Sequence, residues 1–134
     1  MLKLIAIIVA MATSTIGGKT EAQEYFEATV KSEVVEMRRE FKEDEDFEDI
    51  SVTVNGKTKW VDDDTAMVEL TLKFDKNIEF IFDELVDIDE NGDVIQTNIM
   101  DYILNDEVIV SDDLASERFD ELCDEYGYDL PEIF

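Results

Sequence analysis

The stretch Thr65-Ala66-Met67-Val68-Glu69-Leu70-Thr71-Leu72-Lys73-Phe74-Asp75-Lys76-Asn77-Ile78-Glu79-Phe80-Ile81-Phe82 decides the fold. Ala66, Val68, Leu70, Leu72 and Phe74 recur at every second position, the period of a strand with one buried face. A three-residue loop, Asp75-Lys76-Asn77, sets Phe74 against Ile78, Leu72 against Phe80 and Leu70 against Phe82. The same register puts Lys73 beside Glu79 on the opposite face, a favourable cross-strand pair. An antiparallel hairpin with an aromatic and aliphatic inner face follows.

Working outward, the period of two extends from Asp49 to about Ile99. On the N-terminal side, Val54-Asn55-Gly56 reads as a second three-residue loop with Gly56 left-handed, which pairs Ile50 with Trp60 and Val52 with Thr58. On the C-terminal side, Val86 and Ile88 lead to a turn at Asn91-Gly92, where a two-residue loop would pair Ile88 with Ile95. Beyond Ile99 the pattern loosens, and residues 100–104 and 108–110 read as strand, or as a short helix followed by strand.

Helical spacing flanks this meander. Phe26, Val30, Val34, Met37 and Phe41 fall 4, 4, 3 and 4 residues apart, one apolar stripe of an amphipathic helix over residues 21–41. The acidic run 43–49 reads as a solvated turn into the first strand. Ser111 is a helix N-cap, with Asp112 and Asp113 at the positive end of the dipole; Ala115, Phe119, Leu122, Cys123 and Tyr126 make a second stripe ending at Gly127. The fold class is therefore α+β: a long N-terminal helix packed on an antiparallel β-meander of about four to six strands, with a shorter C-terminal helix. Five Gly, one Pro and no Ser- or Pro-rich stretch leave no linker, so residues 23–134 form a single acidic domain.

Charge excludes more than it selects. The 134 residues hold 36 Asp and Glu against 11 Lys and Arg, a net charge of −25. So few cations cannot build a stripe that neutralises phosphates, which excludes direct nucleic-acid binding, and an anionic membrane repels the chain in the same way. With no His, imidazole catalysis and His-bound zinc are excluded; one Cys, Cys123, makes no intrachain disulfide and sits on an apolar helix face as a small buried hydrophobe. Apolar residues at 45 % in periodic runs indicate a folded chain.

Residues 1–22 read in two ways. Lys3, the apolar run 4–12 and the small residues Thr20 and Ala22 have the parts of a secretory signal cleaved before Gln23. The β-formers Ile5, Ile7, Ile8 and Val9 equally suit a buried N-terminal strand. The run is too short to span a bilayer, so no stable membrane anchor is expected. Location is cytoplasmic or exported, according to which reading holds. Cleavage would leave the acidity intact.

Three groups of residues carry candidate chemistry. Asp87, Asp89, Asn91 and Asp93 match the first ligand positions of an EF-hand loop, with Gly92 at loop position 6. Position 12 is Asn98 where a bidentate Glu is needed, and the flanks are strands, so the plain hairpin is the stronger reading and no metal or other cofactor is implied. Pairs of carboxylates are inevitable among 36 acids and identify no catalytic pair; with no nucleophile motif or phosphate loop, the chain reads as a non-enzyme. The third group is the outer sheet face, where Met67 and Leu85 are cross-strand neighbours, Ile81 is close by, and Asp83, Asp87 and Asp89 form a spaced row of anions, alternate residues on a strand being about 6.6 Å apart. Either the C-terminal helix or the N-terminal segment covers this face, giving three layers, or it is exposed.

If exposed, these residues together with Asp62, Asp63 and Asp64 suit a basic protein partner. The leading expectation is then a non-catalytic acidic binding protein that mimics nucleic acid and inhibits a basic DNA- or RNA-handling protein, of restriction, CRISPR or similar type. The alternative is an exported domain binding a protein or small ligand. The order of elements after residue 22 is similar to cystatin-like or NTF2-like folds, a likeness of topology without a family motif.

Overall fold

The computed structural model describes residues 20–131. Their elements are α1 (Glu21–Glu43), a short 3-10 turn (Glu45–Phe47), β1 (Val52–Trp60), β2 (Thr65–Phe74), β3 (Ile78–Ile88), β4 (Val94–Leu104), β5 (Glu107–Ile109) and α2 (Asp112–Tyr126). The five strands form one antiparallel sheet in the order β1-β2-β3-β4-β5, so the chain is α+β as its periodicity predicts. The two readings of the N-terminal segment fall on residues that lie outside the described ones, apart from its last three. Those three are structured: Thr20 and Gln23 form a reciprocal capping box at the start of α1, so a cut after Ala22 would remove the cap.

The central hairpin has the register read from the sequence. Phe74 faces Ile78, Leu72 faces Phe80, Leu70 faces Phe82 and Met67 faces Leu85. Lys73 and Glu79 form the expected ion pair, Nζ to Oε2 at 3.5 Å. Burial alternates along β2 and β3 without a break. The buried face receives both helices. Val34, Met37 and Phe41 of α1 and Ala115, Phe119 and Leu122 of α2 join one core with Leu72, Phe74, Phe80 and Leu104, while Phe26 and Val30 pack on Ala66, Val68 and Val86 in a second.

Four sequence expectations need correction. Asn55-Gly56 is no turn: β1 runs straight through it, pairing Val52 with Phe74 and Trp60 with Ala66. Gly56 is needed for a different reason, because α1 crosses directly over it and an added Cβ would lie 2.7 Å from Val34 Cγ2. The second correction concerns the β3–β4 turn, where Ile88 pairs with Val94 instead of Ile95 because Asp89 N–H bonds to Asp93 O and a bulge follows. Third, Phe47 in the acidic run is buried, edge-on to Phe41 with ring centres 4.9 Å apart. Fourth, Tyr126 is 42 % exposed and stacks on Tyr128 outside the α2 core stripe. The ambiguous stretch after Ile99 is strand throughout β4 and again in β5.

The helix crossing at Gly56 generates a stability prediction. Gly56→Ala forces the stiff, β-branched Val34 out of its place and lowers unfolding free energy by about 1–3 kcal/mol. Adding Val34→Ala recovers part of the loss, as measured by urea denaturation of the single and double variants.

Candidate functional site

Because α1 and α2 share one face, no described helix lies on the other. The expected three-layer arrangement with the C-terminal helix over Met67, Ile81 and Leu85 is overturned: α2 packs against Phe74, Phe80 and Leu104 on the opposite side. Among the described residues the outer face is therefore laid out by strand register alone, and the expectation that the N-terminal segment covers it falls outside them.

Register groups its residues in rows across the strands. Glu69 faces Asp83 and Asp83 faces Asp101, three carboxylates on three neighbouring strands about 4.8 Å apart. Lys57 faces Glu69 at the β1 end of this row, yet among the described residues none of the three acids forms an ion pair. An apolar pair, Met67 and Leu85, borders the row on one side; Ile81, Ile103 and Val108 border it on the other. Partial burial, then the charges of Glu69 and Asp101, push the Asp83 carboxyl above its usual range. Like charges directly opposite one another destabilise a sheet, so this row is maintained against a cost.

Beyond the Met67–Leu85 pair lie Asp87 and the β1–β2 turn. Asp87 accepts from Thr65 Oγ1 at 2.8 Å. Asp62, Asp63 and Asp64 are exposed in the turn. Hydrogen bonding between Asp62 and Asp64 lowers the first carboxyl and raises the second. Asp89 is drawn away from the row: its Oδ1 accepts from Asn91 N at 2.9 Å and Asp93 N at 3.0 Å, closing the β3–β4 turn. Asp83 and Asp87 remain from the predicted row, which extends sideways through Glu69 and Asp101. Sequence reading placed Glu69 on this face without giving it a role. It missed Asp101 because β4 carries a bulge between the residues facing Asp83 and Glu84, which resets the alternation.

The EF-hand candidates Asp87, Asp89, Asn91 and Asp93 are not gathered around a common point. Asp87 serves Thr65 and Asp89 serves its own turn, and among the described residues no three His, Cys, Asp or Glu side chains are grouped to hold a metal. Cys123 is buried in the α2 core, and burial pushes its thiol up to about 11, too high for a nucleophile at neutral pH.

One further acid escaped sequence reading. Glu84 lies on the inner face opposite Val68 and Ile99, only 5 % exposed, with no hydrogen-bond partner for Oε2 among the described residues. Burial raises its pKa, and a hydrogen bond to Thr97 only partly opposes this. Comparison with protein families, curated proteins and solved structures returned no match for the chain.

Glu84 sets a pH prediction. A carboxyl whose folded pKa exceeds its unfolded value of 4.5 favours folding below that value, and the advantage is lost as pH rises through the folded pKa. Stability should thus fall from about pH 4.5 toward neutrality. Glu84→Gln removes the ionisation penalty, raises stability at pH 7 by about 1 kcal/mol and flattens the dependence, measured by urea unfolding at pH 5 and 7.

Proposed function

We propose that this protein is a non-catalytic binding protein that presents the outer face of its sheet to a basic partner, in the manner of a nucleic-acid mimic that inhibits a DNA- or RNA-handling protein. The observation that carries the reading is the row Glu69, Asp83 and Asp101, held between the Met67–Leu85 pair and the Ile81, Ile103 and Val108 row. Mutual repulsion in this row is relieved when cationic side chains of a partner settle along it. The flanking apolar rows supply the desolvated contact that charge alone lacks. Asp62, Asp63, Asp64 and Asp87 continue the negative surface past one apolar row. The total charge of −25 adds long-range attraction for a basic groove.

A partner bound this way competes with nucleic acid and releases at high salt. Asp83→Lys is the informative variant. It places a cation between Glu69 and Asp101, which improves cross-strand pairing and keeps the sheet intact while reversing the centre of the row. The variant should melt no lower than the unaltered protein and bind the basic partner at least about tenfold more weakly, a loss of about 1.4 kcal/mol. Binding that ignores both salt and Asp83→Lys, measured by calorimetry or pull-down at two ionic strengths, would defeat the reading. It would turn attention to the exported, ligand-binding alternative.

A further inference from the structure

Where the last turns of α1 pass the start of β1, the two elements and the 3-10 turn between them enclose a cleft of about 420 Å³. Its floor belongs to the main core: Phe41 and Phe47 are buried there, and the half-buried Ile50 and Val52 pack against the same cluster. Its exposed lining carries Arg38 and Lys42, four residues apart and so on one face of α1, together with Glu48. Two cations against one acid reverse the balance of a chain that holds 36 acids and 11 cations. Arg38 is also held in place. Its Nε donates to Val54 O at 2.8 Å and its Nη2 to Asn55 Oδ1 at 3.2 Å, which pins the guanidinium to β1. Both acceptors are uncharged, whereas Arg39 bonds to Glu36 and Glu43, and Arg118 to Glu107 and Glu121. Val54 and Asn55 take two of the five donors of the fork. The adjacent donors on Nη1 and at the second position of Nη2 match the two oxygens of a carboxylate.

We propose that this cleft binds a small organic acid, one carboxylate on an aromatic or branched apolar body, with the carboxylate on Arg38 and Lys42 and the body over Phe41, Phe47, Ile50 and Val52. Three properties of the cleft select that chemistry. The first is form: its volume falls within the roughly 300–1,000 Å³ of small-molecule sites, and an apolar floor with a few fixed polar groups is how such sites are built. The second is preorganisation. Val54 and Asn55 fix Arg38 before a ligand arrives, so little side-chain freedom is lost on binding. The third is charge. A cationic ligand meets Arg38 and Lys42, and an uncharged one gains nothing from the guanidinium fork. A phosphate, with a charge of about −1.5 to −2 at neutral pH, is repelled more strongly than a carboxylate by Glu48 and by the net −25. A single negative charge is the best match. The cleft lies on the helix side of the sheet, where Val54 joins the core, so the proposal stands apart from the reading of the outer face.

Nuclear magnetic resonance titration of the full-length protein with hydrocinnamate tests this. Amide signals of the cleft residues between Arg38 and Val54 should shift together and saturate with a Kd below about 1 mM. Two more probes separate the parts of the site. Hydrocinnamyl alcohol keeps the body without the charge, acetate keeps the charge without the body, and each should bind at least about tenfold more weakly. Arg38→Gln should weaken hydrocinnamate at least about tenfold and leave the alcohol unchanged. Lys42→Gln, which leaves the Arg38 bonds to β1 in place, should weaken hydrocinnamate about threefold. The absence of a saturable shift in the cleft overturns the proposal, as does equal binding of hydrocinnamate and either of the other probes, or an unchanged affinity in both variants. The three probes are compared on the unaltered protein, so that comparison decides the matter even where Arg38→Gln fails to fold. These outcomes are separate from those of the Asp83→Lys experiment, which concerns the outer face.

Discussion

Every element of the domain is arranged by the alternation of β2 and β3, which over two consecutive strands sends apolar side chains, with Glu84 the one exception, to a single buried face. A sheet with one apolar face has to cover it, and only the two helices supply matching stripes. Both therefore compete for the same side. α1 takes β1 and β2, coming close enough at Gly56 to exclude a side chain, and α2 takes the Phe74, Phe80 and Leu104 region next to it. The edge-on contacts of Phe74 with Phe41 and Phe119 tie the two helices to one strand.

The same constraint shapes the surface. With both helices on one side, the opposite face belongs to the strands, and its chemistry is whatever the odd-numbered positions of β2 and β3 provide. Those positions hold Met67, Glu69, Ile81, Asp83 and Leu85, a mixture of apolar and acidic groups with the acids aligned across strands. A soluble surface needs no such alignment. Scattering Glu69, Asp83 and Asp101 would keep the charge and avoid the repulsion that, after burial, helps raise the Asp83 carboxyl. Features kept against stability are where function is looked for first.

Much of this was legible beforehand where a single physical rule acted alone. Both helices, the β2–β3 register, the Lys73–Glu79 pair and the Met67–Leu85 neighbours follow from period and parity. Reading failed wherever two rules used the same residue. Asn55-Gly56 has turn composition, yet the glycine answers to Val34 of a helix 22 residues earlier in the sequence. Asp101 and Ile103 were lost because bulges in β4 shift parity, and a bulge leaves no mark on local hydropathy. Glu84 sits at a core position of its strand, but a carboxylate there looks like an interruption of the pattern until the neighbours Val68 and Ile99 are known.

The sequence by itself determined the elements, the pairing of the central hairpin, the concentration of charge and the classes of chemistry that lack their residues. Those properties depend on side-chain period and composition, which are local. Only the tertiary structure decided that both helices lie on one face, that Gly56 is a crossing point, that the acids form a row across three strands, and that Arg38 bonds to the backbone of the β1 edge. Each of these depends on which distant segment packs against which, and that is settled by competition among apolar faces over the whole chain.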